Sequence, residues 1–372
     1  MQTDLLTPYF HDRGVAQVQV AAGRYVPRRF HDLSVEHDAA RNRAALFDFS
    51  FMSHFEIDGP QAREFLQTLQ PRPVAGRRAG SIVYTVLCRE DGSVFNDATV
   101  WVLGDGRYWL FTGRRSDRRH VCHVADPFDV TVTDRSGCHS VIAVQGPRSA
   151  QLLERSAGAT AADLRYFRFG QASLAGVNVW VGRIGYTGEH GYELLVGSQH
   201  AVQVWERLVA RGSELGVLEC GFDAANCLRI EAGYILFDRE LTYAVTPDSL
   251  GYGRLIDGAG DRRFVGARRL RDRGRRLHEP RLRGLVPASS AVPDRQGPAP
   301  AALPGSSAPP VASGQACLTS ACWSPLFKRP IGMGYVHADD HHPGTSVTLQ
   351  NGQRARVARL PYYDPARAVP RR

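Results

Sequence analysis

The sequence predicts an α+β protein that ends in a small β-barrel. Before residue 280 the predicted strands come in hairpin-like groups with amphipathic helices between them, whereas after it only strands are predicted. A chain of 372 residues also exceeds a single hydrophobic core. We therefore predict three domains: an α+β region over 1–140, a second α+β region over 141–280, and a β-barrel over 281–372.

The first region contains a strand, a helix and a β-meander. Apolar and polar residues alternate at 55–57, a Gly-Pro turn follows at 59–60, and apolar residues at helical spacing predict a helix over 61–69. The stretches 82–87, 98–103 and 108–112 are rich in β-formers and are separated by glycine turns, so they predict three consecutive strands.

The second region repeats this outline. A strand over 141–144 ends in Gln145-Gly146-Pro147 and is followed by a helix over 148–156. Two further strands, 177–183 and 192–196, flank a glycine-rich turn at 185–191. Helices are predicted over 202–212 and 222–232, and the basic run 262–283 predicts an exposed helix.

The third region is predicted to consist of strands alone. They are expected at 281–286, 317–319, 331–337, 346–349 and 355–360. The intervening stretch 287–314 is rich in Pro, Ala, Ser and Gly, which is typical of a flexible insertion. These short strands in sequence predict a barrel-like domain.

Composition excludes several classes of protein. Hydrophobic residues make up 43% and charged residues 22%, as in ordinary globular proteins, and no run of 18 apolar residues indicates a membrane span. The net charge of +9 comes almost entirely from arginine, without any nucleic-acid-binding motif, so we expect it to attract an anionic small molecule. The seven cysteines lack zinc or disulfide spacing, and the N-terminus lacks a leader pattern, so we predict a cytoplasmic protein without a metal site.

Short motifs recur in a fixed order along nearly the whole chain. They are Glu36-His37, Leu46-Phe47-Asp48-Phe49-Ser50, Asp58-Gly59-Pro60, Tyr84-Thr85, Asp91-Gly92, Asn96-Asp97, Val144-Gln145-Gly146-Pro147, Gly185-Tyr186-Thr187-Gly188-Glu189, Gly191-Tyr192-Glu193, Leu228-Arg229-Ile230-Glu231-Ala232-Gly233, Thr319-Ser320-Ala321, Ser324-Pro325 and Gly332-Met333-Gly334-Tyr335. Each is weak alone, but their order and spacing together resemble the aminomethyltransferase family. That family includes the glycine-cleavage T-protein and the tetrahydrofolate-dependent demethylases.

The resemblance implies a ring-like, three-domain fold around a central channel that holds tetrahydrofolate or 5,10-methylene-tetrahydrofolate. Glu193 matches the family's pterin-recognising glutamate. A pterin presents an N–H and an amino group side by side, and one carboxylate can accept both protons. Asp97 matches the catalytic aspartate near folate N5, where a carboxylate stabilises developing positive charge.

The same resemblance predicts the walls of the pterin pocket. Met52, Tyr84 and Phe111 occupy positions that line it in the family, and aromatic and thioether side chains suit a flat heteroaromatic ring. Tyr186 lies in a matching motif, and Gly113 stands at the position of a family asparagine; these two residues complete the predicted cofactor-binding set. Arg229 and Glu231 are two apart on a predicted helix, so they do not face each other and are interpreted as structural.

Three positions depart from the T-protein pattern. Phe51 stands where a histidine is usual, Ala225 where an arginine helps to hold folate, and Gly113 where an asparagine is usual. Phe51 is expected to make the entrance more apolar, and Ala225 to leave space where a cation stood.

The resemblance implies a transferase that moves a methyl or methylene unit between tetrahydrofolate and an N- or O-linked small molecule. No flavin-binding module accompanies the folate-type domain. One alternative is a glycine-cleavage aminomethyltransferase proper, working with a carrier protein. Another is a non-catalytic folate-binding accessory protein, such as those that support iron–sulfur assembly. Those proteins carry a Lys-Gly-Cys-Tyr-type motif where this chain has Glu231-Ala232-Gly233-Tyr234-Ile235, which argues against that alternative.

Overall fold

A computed structural model of the chain describes residues 6–20, 24–104, 106–272, 278–293 and 307–372. The helices within these ranges are α1 (Leu6–Asp12), α2 (Leu33–Asn42), α3 (Ala62–Leu69), α4 (Arg118–Ala125), α5 (Ser149–Ala157), α6 (Ala159–Ala162), α7 (Ala201–Gly212), α8 (Phe222–Glu231), α9 (Gly253–Asp257) and α10 (Ala267–Leu270). None of these described helices is both long enough and apolar enough to cross a bilayer.

The strands within the same ranges form three sheets and a barrel. They are β1 (Gln17–Val20), β2 (Arg24–Pro27), β3 (Ala45–Asp48), β4 (Ser53–Asp58), β5 (Ser81–Cys88), β6 (Val94–Gly104), β7 (Arg107–Thr112), β8 (Thr131–Asp134), β9 (His139–Gln145), β10 (Phe169–Leu174), β11 (Val177–Gly182), β12 (Gly191–Gly197), β13 (Leu218–Glu219), β14 (Arg281–Pro287), β15 (Gln315–Ser324), β16 (Arg329–Val336), β17 (Ser346–Leu349) and β18 (Arg354–Ala358). The mixed α+β class predicted from the sequence is therefore confirmed.

Two larger sheets make up most of the molecule. One has the strand order β5-β6-β7-β4-β8, and the other has the order β10-β11-β12-β9-β3-β13. Strand β3 comes early in the chain, yet it pairs antiparallel with β9 in the second sheet. The second sheet is thus assembled from both sides of residue 140, and the predicted domain boundaries stay a prediction.

Side-chain alternation decides which residues face the space between the two sheets. On β6, Ala98, Val100 and Val102 pack into a core with α3, so Asp97, Thr99 and Trp101 project from the opposite face. On β12, Tyr192, Leu194 and Val196 pack against α5 and α7, which turns Glu193 and Leu195 the other way. Both carboxylates therefore enter the same interior space.

The C-terminal strands close into a barrel in the order β14-β16-β15-β17-β18, and helix α8 packs on it. The predicted barrel is present, with β15 longer than the sequence indicated. Nearly half of the predicted insertion 287–314, namely residues 294–306, lies outside the described residues.

The expected exposed helix over 262–283 is wrong in extent. Only α10 is helical in its described part, and the next regular element is β14. Ala267 and Leu270 are buried, and the Leu270 side chain lies under the Gly92 turn. The basic run is therefore a short anchored turn rather than one solvated helix, while residues 273–277 lie outside the described part.

Candidate functional site

A cavity of about 160 Å³ lies between the two large sheets. This volume has room for several water molecules or one small ring system. Its walls come from β5, β6 and β7 on one side and from β9 and β12 on the other, with two loop segments at 166–167 and 235–237. Aromatic side chains dominate the lining: Phe49, Phe51, Tyr84, Trp101, Phe111, Tyr166, Phe167, Tyr186 and Phe237. The acidic groups among the lining residues are Asp97 and Glu193.

The structure brings together every site residue predicted from the sequence. The seven that line this one cavity are Met52, Tyr84, Asp97, Phe111, Gly113, Tyr186 and Glu193. They come from different strands and turns between residues 52 and 193, so their convergence is a property of the fold. Their roles toward a ligand remain a prediction.

Glu193 is held at the start of β12 by the glycine-rich turn that precedes it. The turn wraps around the Gln145 side-chain amide, which accepts a hydrogen bond from the Thr187 hydroxyl at 2.9 Å. A Cβ atom at Gly185 or Gly191 would lie 2.0 Å or 2.4 Å from that amide. Glycine at these two positions therefore lets the turn close tightly and fixes where Glu193 enters the cavity.

The Glu193 carboxyl has no hydrogen-bond partner within the described residues. Water can reach it through the cavity, but it is well removed from bulk solvent. Burial raises the pKa of Glu193 to about 7. An acidic group of this kind, without a cation to neutralise it, is suited to a ligand that supplies N–H donors or positive charge.

Asp97 has a different environment on the facing wall. The Tyr84 hydroxyl donates a hydrogen bond to Asp97 Oδ2 at 3.1 Å, and the Tyr84 ring meets that of Tyr252 edge to face at 6.0 Å. Burial raises the pKa of Asp97 to about 6, and the Tyr84 hydrogen bond limits the rise. The Asn96 side chain accepts from the Asp97 backbone N–H at 2.9 Å, which fixes the backbone there. At neutral pH Asp97 is mostly ionised.

Gly113 leaves space for an aromatic ring. A Cβ atom at this position would lie 2.1 Å from a ring carbon of Phe237. Phe237 therefore occupies the volume that a side chain at residue 113 would take. Tyr186 holds the same wall, because its hydroxyl donates to the Ile235 carbonyl at 2.6 Å and its ring stacks on Tyr234. The Tyr186 hydroxyl is thus committed to the backbone, and its ring faces the cavity.

Sequence reasoning missed several lining residues. Trp101 could have been found, because it shares the β6 alternation with Asp97 and Thr99. Phe167 and Phe237 lie on loops, where no periodicity marks an inward-facing side chain. Phe167 has a φ of +62°, an uncommon conformation for a non-glycine residue. Its carbonyl accepts from Ile82 N and its N–H donates to the Arg183 carbonyl, so two backbone hydrogen bonds hold it there.

Arg229 and Glu231 form separate buried ion pairs, in agreement with their structural interpretation. Arg229 Nη1 lies 2.9 Å from Glu240 Oε2, and both side chains are almost fully buried. Glu231 accepts from His37 Nε2 at 2.9 Å and from Arg41.

Neither Phe51 nor Ala225 leaves a vacant cation position. Phe51 lines the cavity and is buried against Phe222, with ring centroids 6.0 Å apart. Ala225 is 0% exposed within the apolar core and is not a lining residue. The expectation that Ala225 leaves open space is therefore wrong, because surrounding apolar side chains have closed over it.

The sequence predicts no metal site, and the described residues contain one group with suitable ligand atoms. Ligand atoms of His37, Cys227 and Glu231 lie within 4.8 Å of one another. The Glu231 carboxylate already accepts hydrogen bonds from His37, Arg41 and Ser324. These partners satisfy its charge in the absence of a cation, so we interpret the group as a structural network.

The chain is an α+β protein in which two carboxylates face an aromatic cavity between two sheets. Mostly apolar cavities with a few polar groups are typical of small-molecule sites. Comparison with known proteins gives the family. The GCVT N-terminal domain matches residues 8–259, and the glycine cleavage T-protein C-terminal barrel domain matches residues 301–364. The chain belongs to the glycine-cleavage T-protein, or aminomethyltransferase, family, as its motifs predicted.

Named relatives agree with this assignment, and a solved structure has a similar fold. The chain is 34% identical to an aminomethyltransferase of Streptomyces coelicolor over 92% of each chain. It is 32% identical to an aminomethyltransferase of Halothermothrix orenii, over 96% of this chain and 99% of the relative. The fold resembles that of the glycine cleavage system aminomethyltransferase T from Bartonella henselae, with a TM-score of 0.79, 23% identity, and coverage of 96% of this chain and 97% of that one.

Proposed function

We propose that this protein is a tetrahydrofolate-dependent one-carbon transferase and that the cavity between the two sheets binds the pterin. The observation that carries the proposal is the Glu193 carboxyl, which faces the cavity without a partner in the described residues. A pterin edge supplies two adjacent N–H donors, so it would satisfy both carboxylate oxygens at once. The aromatic walls suit the flat ring that carries those donors.

The role proposed for Asp97 is electrostatic. The reduced pterin supplies a nucleophilic nitrogen that carries the one-carbon unit, and positive charge develops near that nitrogen during transfer. An ionised Asp97 stabilises such charge from a fixed position, because Tyr84 and the Asn96–backbone contact hold it before the ligand arrives. The low polarity of the cavity strengthens this interaction relative to water.

The donor is proposed to be an N- or O-linked methyl or methylene compound. Phe51 and Phe237 make one side of the cavity apolar, and Phe237 fills the volume next to Gly113. Such a wall favours a less polar donor over a polar aminomethyl group. The named relatives are aminomethyltransferases, so glycine cleavage with a carrier protein remains the competing candidate.

Binding and turnover should be tested separately. Calorimetry with tetrahydrofolate tests the site itself, and wild-type protein that does not bind would refute the folate proposal. Turnover is then tested with a panel of N- and O-methylated donors, and in parallel with glycine, lipoylated carrier protein and the decarboxylating partner. Methylene-tetrahydrofolate formed at the rate of a genuine T-protein would establish glycine cleavage. Binding without any turnover would favour the accessory-protein alternative.

A further inference from the structure

Helix α8 and barrel strand β15 meet along three successive side-chain contacts. The residues Ser320, Cys322 and Ser324 alternate along β15, so they project from one face of the strand toward the helix. Ser320 Oγ accepts from Arg229 Nη2 at 2.7 Å, and Ser324 Oγ donates to Glu231. The two outer contacts are polar and buried, and they hold the helix and the strand in register.

The central contact of the three joins two thiols. Cys322 Sγ lies 3.5 Å from Cys227 Sγ, although the two residues are 95 positions apart in the chain. Both cysteines are reduced in this structure. A disulfide has sulfur atoms about 2.0 Å apart, so the sulfurs must approach by about 1.5 Å, which small side-chain rotations can supply.

We propose that Cys227 and Cys322 are an oxidation site, at which a peroxide forms a reversible disulfide that joins helix α8 to the barrel. This inference is independent of the proposed folate chemistry. Cys322 is half-buried, so a small oxidant can reach it, whereas Cys227 is fully buried behind it. Disulfides inside cells are usually transient and respond to oxidants, which fits a pair that is close but unbonded.

The two steps use one peroxide. The Cys322 thiolate attacks a peroxide oxygen, the O–O bond breaks, and a sulfenic acid and one water form once the leaving hydroxide is protonated. Cys227 Sγ then attacks the Cys322 sulfur, and the hydroxyl leaves with the Cys227 proton as a second water. Two thiols and one hydrogen peroxide thus give one disulfide and two waters. The hydrogen bond with Cys322 and burial raise the pKa of the Cys227 thiol. Cys227 is also shielded from solvent, so the half-buried Cys322 is the thiol that attacks first.

The cross-link would act on the wall of the cavity through the chain that leaves α8. The helix ends at Glu231, and four residues later the chain forms the 235–237 wall. A covalent bond between Cys227 and the barrel would restrict movement of the helix from which this wall extends. It would also close a long loop in the unfolded chain, which stabilises the folded state.

The experiment uses the full chain, reduced and then treated with about one equivalent of hydrogen peroxide. Non-reducing peptide mapping should recover the Cys227–Cys322 cross-linked peptide, and dithiothreitol should remove it. The melting temperature should rise by about 5–10 °C on oxidation and return on reduction, as expected for a loop of about 100 residues in a chain of this size. Cys322→Ser should abolish the rise, whereas Cys138→Ser, which replaces a half-buried cysteine in the turn before β9, should retain it.

Several outcomes would overturn the inference. One is oxidation of Cys322 only to sulfinic acid, and another is a cross-link between other cysteines. A third is stoichiometric zinc in the purified protein that is released on thiol alkylation, because the pair would then be a metal site with His37 and Glu231. Peptide mapping of the wild-type chain decides between these results even if a serine variant does not fold.

Discussion

Replacing Glu193 by glutamine should stabilise the free protein and weaken its affinity for folate. The variant keeps the shape of the side chain but removes its ionisation. Burial raises the pKa of Glu193 from its ordinary 4.5 to about 7. The folded protein therefore binds a proton more tightly than the unfolded chain does, and stability falls as pH rises from about 4.5 through 7.

The size of this penalty follows from the shift. A difference of about 2.5 pKa units corresponds to about 3 kcal/mol above pH 7, which is an upper bound because water reaches the carboxyl through the cavity. At pH 8, Glu193→Gln should therefore raise the melting temperature by a few degrees, whereas at pH 4 the two proteins should melt together.

Folate affinity should change in the opposite direction. Glutamine presents a donor to one of the two pterin N–H groups, so affinity should fall by about 30- to 150-fold, corresponding to about 2–3 kcal/mol. Wild-type affinity should also fall about tenfold between pH 8 and pH 6, as the carboxylate with a pKa of about 7 is protonated. The variant should lack that dependence.

Calorimetry across this pH range and thermal melts of the free proteins measure both effects. Glu189→Gln is a useful contrast, because Glu189 accepts from Arg41 at 2.9 Å and its loss should destabilise the protein. If wild-type affinity were flat from pH 8 to pH 6, or if Glu193→Gln bound folate as wild type does, the assignment of Glu193 to the pterin would be wrong.

Three further substitutions test other parts of the structure. Asp97→Asn should leave folate binding in place but reduce turnover by about a hundredfold or more. Wild-type turnover should fall below pH 6, because the Asp97 carboxylate is protonated there. pH–rate profiles of both proteins measure the two effects. Gly113→Ala should cost about 1–3 kcal/mol in denaturant unfolding because its Cβ meets Phe237, whereas Gly170→Ala, whose Cβ has its nearest neighbour at 3.6 Å, should be tolerated. Arg229→Met should cost about 3–5 kcal/mol by removing the cation that pairs with the buried Glu240 carboxylate, against about 0–1 kcal/mol for Arg155→Met at an exposed ion pair.

The sequence predicted the cavity best where a strand carried the signal. Glu193 lies within the predicted strand 192–196 and Asp97 directly before the predicted strand 98–103, so strand alternation applies to each residue once the family motifs have assigned both to the pocket. The family motifs supplied the rest of the seven lining residues, since Met52 and Gly113 have no local pattern that marks them as interior.

The parts that could not be predicted depend on contacts between distant segments. The wall at 235–237 belongs to the cavity because Tyr186 holds the Ile235 carbonyl and because Gly113 leaves room for Phe237. Neither contact leaves a periodic trace in sequence. Ala225 is a different case. The sequence shows that an alanine replaces the usual arginine, but it does not show that tight packing closes the space that the arginine would need.

The unequal environments of the two carboxyls are consistent with the division of roles that we propose for them within one cavity. Burial raises the pKa of both carboxyls, to about 6 for Asp97 and to about 7 for Glu193, and the Tyr84 hydroxyl limits the rise for Asp97. At neutral pH Asp97 is thus already charged, as a group that stabilises developing positive charge must be, whereas Glu193 is about half protonated and becomes fully charged only when a ligand supplies donors. The partly uncompensated Glu193 carboxylate therefore lowers the stability of the free protein. A ligand that supplies N–H donors to it would remove this penalty, and we expect the cavity to select such a ligand.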